Sequence, residues 1–170
     1  MSATEIENLA DVSGPSLENW EPRSSAEILD EARHAGRERT LAYAGVLEPE
    51  AAWLLFKRGD AVLVDVRTAE EWKFVGHVPG SHHAAWQTGT ALIKNPRFLK
   101  ELEQKTSKSS TVLLLCRSGK RSAEAAAAAA KAGFTSVYNV GEGFEGDKNE
   151  SQQRGEAGGW RRRNLPWVQD

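Results

Sequence analysis

A chain of 170 residues, 39% of them hydrophobic and 27% charged, has room for one globular domain with an appendage. Its net charge of −2 gives no overall field toward nucleic acid or an acidic membrane surface, and no apolar run approaches bilayer length. The start, Met1-Ser2-Ala3-Thr4-Glu5-Ile6-Glu7, has neither the basic residues nor the apolar core of a secretory signal, and one cysteine cannot close a disulfide within the chain, so a reducing compartment, the cytoplasm, is the expected setting.

Charge is uneven along the chain: net −5 over residues 1–40 and net +3 over residues 41–170. Ser13-Gly14-Pro15-Ser16 and Glu21-Pro22-Arg23-Ser24 are breakers. From Ser25 to Arg39 the pattern predicts a polar surface helix, with Glu27, Asp30 and Glu31 toward its start and Arg33, Arg37 and Arg39 toward its end, as the helix dipole favours. The expected division is an acidic, partly disordered extension with a short helix over residues 1–40, then a folded domain over 41–170.

From Tyr43 the pattern alternates between helix and strand. Glu48-Pro49-Glu50 opens a helix with Ala52, Leu55 and Phe56 on its apolar side and Gly59 as its stop. Ala61-Val62-Leu63-Val64-Asp65-Val66 is apolar enough for a strand covered on both faces. Thr68 caps a short helix, with Glu71 as capping-box partner and Trp72, Phe74 and Val75 as its apolar content. The turn His77-Val78-Pro79-Gly80 leads to an extended piece over 82–86. Asn95-Pro96 opens a helix with Phe98, Leu99 and Leu102 inward. A strand over 111–115 is followed by an alanine-rich helix over 123–132, ended by Gly133, and a last strand over 136–140. Alternation with short loops argues an α/β domain with a central, mainly parallel sheet flanked by helices. Beyond it, 148–155 reads as a flexible polar loop, Trp160 and Trp167 as pins for the C-terminus, and Arg161–Arg163 as a solvated basic patch.

The chemistry concentrates at Cys116. It ends the apolar run Thr111-Val112-Leu113-Leu114-Leu115 and precedes Arg117-Ser118-Gly119-Lys120-Arg121-Ser122 and the alanine helix. Sites in α/β sheets form at the carboxyl ends of strands, and Asp65 and Arg67 stand at the matching end of another strand. Backbone amides from Arg117 to Ser122 can curl round the sulfur, Gly119 permitting the tight curve, while Arg117, Lys120 and Arg121 favour an anion there. The result is a nucleophilic thiol in an anion-binding cradle. Phosphoryl transfer and sulfur transfer both use such a cradle. Cysteine phosphatases carry Cys-x5-Arg, but this loop is Cys-x4-Arg, with Ser122 where the longer loop has its arginine. The shorter loop is tight for phosphate and suits one extra sulfur.

These features together resemble the single-domain rhodaneses, proteins of the thiosulfate sulfurtransferase type. The resemblance rests on Val64-Asp65-Val66-Arg67, Glu70-Glu71-Trp72, Gly76-His77-Val78-Pro79-Gly80-Ser81 and Cys116 to Ser122, in that order, and covers about residues 41–167. It implies a three-layer rhodanese-like domain. It also implies a Cys116 persulfide stabilised by the loop amides of Arg117, Ser118, Gly119, Lys120, Arg121 and Ser122. Asp65 is implied to brace the loop by pairing with one of its arginines, with Arg67 close by. The donor would be thiosulfate or a related compound. No second cysteine exists to resolve the persulfide, so the acceptor would be a small thiol, cyanide in an assay, or a partner protein. One departure is that Gly158-Gly159-Trp160, which family members often carry soon after the last strand, comes here only after a polar insertion.

Other readings remain open from the sequence: a sulfur-relay module loaded by a partner protein through residues 1–40, and a phosphatase or arsenate reductase, which loop length disfavours. His82-His83 lacks further ligands at metal-binding spacing, His77 suits a hydrogen-bonded turn, and no Gly-x-Gly-x-x-Gly follows a strand, so neither metal nor dinucleotide cofactor is expected.

Overall fold

The structure, a computed structural model, describes residues 16–170. In chain order its elements are α1 (Ser25–Glu38), β1 (Gly45–Leu47), α2 (Pro49–Lys57), β2 (Val62–Asp65), α3 (Ala69–Val75), β3 (His82–His83), β4 (Gln87–Thr88), β5 (Ile93–Lys94), α4 (Phe98–Lys105), β6 (Thr111–Leu115), α5 (Lys120–Lys131) and β7 (Ser136–Val140). Five strands pair in the order β1-β7-β6-β2-β3, every pair parallel, while β4 and β5 form a separate antiparallel hairpin.

The period-two alternation of the strands sorts the core into two layers. Leu63, Leu113, Leu115, Tyr138 and Val140 face one side, where Ile28 of α1 and Trp53 and Leu55 of α2 complete the cluster. Val64, Val112, Leu114 and Val137 face the other, against Phe98 and Leu102 of α4 and Ala125, Ala126 and Ala129 of α5. The alanines of α5 let that helix lie close on the sheet. The expected α/β architecture is therefore present: a wholly parallel central sheet with helices on both faces.

Several expectations need correction. The helix expected on the surface over 25–39 is capped by Ser24, whose Oγ accepts from the Glu27 amide at 3.1 Å, but it buries Ile28, Ala32 and Gly36. It lies so close to β1 that a Cβ on Gly36 would sit 2.4 Å from the Ala44 carbonyl oxygen. Residue 40 is thus no boundary in the packing, and α1 belongs to the core. The disorder expected before it falls largely on residues 1–15, outside the described residues. Phe74, part of the apolar content expected of the helix after Thr68, is 71% exposed, because α3 is a short bridge between strands with no fully buried residue. The strand β1 and the hairpin β4–β5 were not legible: three and two residues are too few for a period to show.

The C-terminal segment is tied down more fully than its polarity suggests. In the 148–155 loop, Asn149 Oδ1 accepts from the Ser151 and Gln153 amides, and Arg154 donates to the Gly146 carbonyl. Arg161 and Arg163 form no free basic patch: Arg163 bridges Glu142 and Glu50, and the Arg161 guanidinium lies over Phe144 and Trp167. Trp160 is fully buried, edge-on to Trp53, with its indole N–H donating to the Pro166 carbonyl. Among the described residues no helix is long and apolar enough to cross a membrane.

Ile28→Ala tests the integration of α1. Truncating a core isoleucine costs about 2–5 kcal/mol, so the urea midpoint should fall clearly at unchanged slope. A midpoint within error of the native chain would return α1 to the status of an appendage.

Candidate active site

Parallel pairing of β2 with β6 sets Asp65 opposite Leu115, and the Val66 amide donates to the Leu115 carbonyl at 2.8 Å. The two chains leave the sheet side by side. Residues after β2 and the loop after β6 therefore share one end of the sheet, the carboxyl end, where loops converge.

Cys116 leaves β6 facing the α5 layer and is 1% exposed. Two donors reach its sulfur. The Gly119 amide lies 3.1 Å from Sγ, and so does Ser122 Oγ. Gly119 is the N-cap of α5 with φ +97°, a conformation costly for any side chain, which turns its own amide back on the sulfur. Behind the loop, Gly143 lies so close that a Cβ there would sit 2.5 Å from the Arg117 carbonyl carbon. The Phe144 amide donates to the Cys116 carbonyl at 2.7 Å and the Glu145 amide to Arg117 at 2.9 Å. The loop is thus fixed from behind by the chain after β7.

The cations divide their work. Lys120 is exposed and Arg117 half-buried. Arg121 is 9% exposed and grips Glu71 of α3 with two bonds, 2.7 and 2.9 Å. Asp65 does not pair with a loop arginine, as the resemblance implied. It takes Arg67 instead, through Nε and Nη2 at 2.7–3.1 Å, and also accepts from the Arg67 amide. The geometric reason is reach: two residues apart at a strand end, the pair closes on itself. Both are 0% exposed, and the guanidinium lies 4.2 Å from the Phe144 ring centroid while donating to the Gly76 carbonyl. The brace on the loop is Glu71, whose capping box with Thr68 is present as expected but which also anchors Arg121.

Burial by itself would raise the Glu71 carboxyl. The bonds and charge of Arg121, with the Thr68 amide and the charge of Arg67, outweigh it and hold the carboxyl below its usual range. For Arg121, burial opposes the charge, and the bonds and charge of Glu71 outweigh that effect, so the guanidinium is held more firmly protonated.

Three contributors escaped the sequence reading. Glu71 shows in the sequence as a helix cap and as part of the Glu70-Glu71-Trp72 segment, with no role at the cysteine loop. Phe144, in a glycine-rich stretch, gave no sign that it would cover Arg67. Asn139 carried a signal: a polar residue amid Ser136-Val137-Tyr138-Asn139-Val140 is anomalous in a buried strand. It is 6% exposed, with Oδ1 accepting from Ser122 at 2.5 Å and Nδ2 donating to the Gly119 carbonyl at 3.0 Å.

Of the other candidates, His77 stacks on Trp72 with ring centroids 4.1 Å apart, and its backbone pairs with Val168. His82 is exposed, and His83 Nε2 donates to the Arg67 carbonyl at 2.7 Å. Among the described residues no three His, Cys, Asp or Glu side chains gather as metal ligands. A cavity of about 400 Å3 among Trp86, Lys94, Pro96, Phe98, Leu99 and Ala128 includes no residue of the Cys116 loop.

Comparison with known proteins decides the family. The model of the Rhodanese-like domain matches residues 48–150. The chain belongs to the rhodanese-like domain family. It is 37% identical over 118 residues to an uncharacterized protein of Rickettsia prowazekii, RP600, covering 67% of this chain and 88% of that protein. Among solved structures, Rv0390 from M. tuberculosis is 42% identical with a TM-score of 0.67, over 75% of this chain and 99% of that one. The polysulfide-sulfur transferase of Wolinella succinogenes shares the fold at 21% identity and a TM-score of 0.52, over 87% of this chain and 95% of that one. In this rhodanese-like domain the delayed Gly158-Gly159-Trp160 returns to the end of β7 after all: the Trp160 amide donates to the Gly143 carbonyl at 2.8 Å and the Arg161 amide to that of Phe144 at 3.2 Å. The insertion loops out and leaves the wall behind the cysteine loop in place.

The Glu71–Arg121 bracket predicts an acid-sensitive term in stability. A carboxyl lowered in the folded state contributes fully above the ordinary glutamate value of 4.5 and loses the contribution as pH falls through its lower folded value. Glu71→Gln should therefore be less stable than the native chain by about 1–2 kcal/mol near neutrality, with the gap closing below the ordinary glutamate value. Chemical denaturation at several pH values measures it. A gap independent of pH would contradict the ionic role of Glu71.

Proposed function

We propose that this rhodanese-like domain is a sulfurtransferase that moves sulfane sulfur from thiosulfate, or a related small donor, to a thiophilic acceptor through a persulfide on Cys116. The observation that carries the reading is the setting of the thiol, at the end of β6 and the start of α5, with the Gly119 amide and Ser122 hydroxyl each 3.1 Å from Sγ. The Gly119 amide is a backbone donor fixed at that distance and stabilises an anion where it forms, while the Ser122 hydroxyl can turn its one proton to the sulfur as charge develops there.

The chemistry balances in two steps. The Cys116 thiolate attacks the outer sulfur of thiosulfate; an Sγ–S bond forms, the S–S bond of the donor breaks, and sulfite leaves with the bonding pair. The persulfide then gives its outer sulfur to cyanide, a small thiol or a thiol of a partner protein, and the Cys116 thiolate returns. The second half must use an external acceptor, because Cys116 is the sole cysteine. The reading takes the reducing cytoplasm as the compartment in which such a thiol survives.

The division of the cations shapes the substrate side. Arg121 is committed to Glu71, so exposed Lys120 and half-buried Arg117 are left to attract a dianionic donor. Lys120→Ala should raise KM for thiosulfate several-fold and weaken its salt dependence at unchanged stability, whereas Arg121→Ala should lose stability. Steady-state kinetics with denaturation curves separate the two, and an unchanged KM in a folded Lys120→Ala chain would remove Lys120 from the donor's path.

The decisive experiment is intact-mass measurement after incubation with thiosulfate. One added sulfur atom on Cys116, removed by cyanide as thiocyanate and absent from Cys116→Ser, is the expected result. Failure to load with any small donor, combined with loading from a persulfidated protein, would turn the reading to a sulfur-relay module. Turnover of an aryl phosphate that is lost in Cys116→Ser would turn it to a phosphatase.

A further inference from the structure

Behind the thiol lies a buried polar trio with more acceptors than protons. Ser122 Oγ is 3.1 Å from Cys116 Sγ and 2.5 Å from Asn139 Oδ1. Asn139 Nδ2 donates to the Gly119 carbonyl at 3.0 Å, which orients the amide with its oxygen toward Ser122. That oxygen can only accept, and Ser122 has one proton to give. Cys116, Ser122 and Asn139 are 1%, 0% and 6% exposed, so bulk water does not fill a vacant place.

We infer that Asn139 is a positioning residue that competes with the Cys116 sulfur for the Ser122 proton, and thereby favours the neutral sulfur over the anionic one. With a thiol, the S–H donates to Ser122 Oγ, the Ser122 O–H donates to Asn139 Oδ1, and every acceptor in the chain is served. With a thiolate, the Ser122 O–H turns to the sulfur, joining the Gly119 amide, and the buried Asn139 oxygen is left without that donor. In a persulfide the charge has moved to the outer sulfur, Sγ is again a weak acceptor, and the Ser122 proton goes back to Asn139. Loading forms the Sγ–S bond, breaks the donor's S–S bond and releases the electron pair with sulfite, so it also relieves the competition. Asn139 thus penalises the unloaded thiolate without penalising the loaded cysteine, and tilts the equilibrium toward loading. The loading half rests on the sulfur-transfer reading; the competition for the proton does not.

The charged residues on the elements around the cysteine loop are Arg117, Lys120 and Arg121 on the loop and its helix, Asp65 and Arg67 at the end of β2, Glu71 on α3 and Glu142 after β7, and of these Arg121 interacts with the sulfur through charge. All stay constant when only Asn139 and Ser122 are changed.

The test is the pH profile of iodoacetamide alkylation of Cys116 in the full chain, without sulfur donor, for the native protein, Asn139→Leu, Ser122→Ala and the double variant. Asn139→Leu should shift the midpoint downward, giving roughly fivefold faster alkylation on the acid limb, the worth of about one hydrogen bond. Ser122→Ala should shift it upward, and adding Asn139→Leu to Ser122→Ala should change nothing more. A purely structural Asn139 would instead loosen the Gly119 turn and move the midpoint upward, or move it equally in both backgrounds. Either result, or no shift, overturns the inference. Should the leucine variant not fold, Asn139→Ala carries the same expectation, and a Ser122→Ala midpoint that fails to rise overturns the inference without any Asn139 variant. In mixtures of thiosulfate and sulfite at a pH above both alkylation midpoints, where the unloaded cysteine is the thiolate, intact mass should show a smaller loaded fraction for Asn139→Leu than for the native chain. An equal or larger fraction, with native loading intact, overturns the loading half. If the alkylation shifts appear but the native chain takes no sulfur, the sulfur-transfer reading fails while the competition for the proton stands.

Discussion

The site depends on the parallel register of β2 with β6. Asp65 lies opposite Leu115, so the next residues on each strand, Val66 and Cys116, leave the sheet together. A parallel pair cannot be joined by a short turn, so each strand must lead into a crossover. The crossover after β2 begins with α3 and the one after β6 is α5. The N-termini of both helices therefore stand at the same end of the sheet, and Glu71 in the first turn of α3 can reach Arg121 in the first turn of α5. The thiol sits beside this bracket because the register leaves it nowhere else to go.

Two ion pairs at this end of the sheet have different characters. Glu71–Arg121 joins two elements and retains some solvent contact, with side chains 17% and 10% exposed. Asp65–Arg67 is local and wholly enclosed, and Arg67 Nη1 lacks a hydrogen-bond partner among the described residues. Enclosing a pair this way returns little net stability, since desolvation offsets attraction, but loss of either partner would strand a charge in the core. The face of Phe144 over the guanidinium and the Gly76 carbonyl beneath it reduce that cost. Phe144 also packs edge-on against Trp167, which links the buried arginine to the C-terminal segment.

The chain after β7 acts as the back wall of the cysteine loop. Its amides hold the carbonyls of Cys116 and Arg117, and the absence of a side chain at Gly143 permits that approach. The polar insertion between Gly146 and Gly158 is accommodated because Trp160 buries its ring against Trp53 and returns the backbone to Gly143. A long loop adds little cost when its ends are fixed by packing, since closure entropy grows slowly with length.

The sequence by itself determined what local pattern can encode. The apolar runs ending at Asp65 and Leu115, the Thr68–Glu71 cap and the alanine helix after Cys116 each announce an element within a few residues, and their order dictates a parallel sheet with the thiol at a strand end. The Cys-x4-Arg spacing, the Asp65-Val66-Arg67 segment, Glu70-Glu71-Trp72 and the Gly76–Ser81 turn are local as well, and in combination they pointed to the family. Only the tertiary structure decided which charges meet. Asp65 took Arg67 and not a loop arginine, Arg121 took Glu71 fifty positions away, and Asn139 came from β7 to stand behind Ser122. The same holds for α1, polar enough in sequence to pass for a surface helix yet carrying Ile28 and Ala32 into the core. Pairing partners of long side chains depend on the packing of whole elements, and residues far apart along the chain leave no periodic trace of the contact they will make.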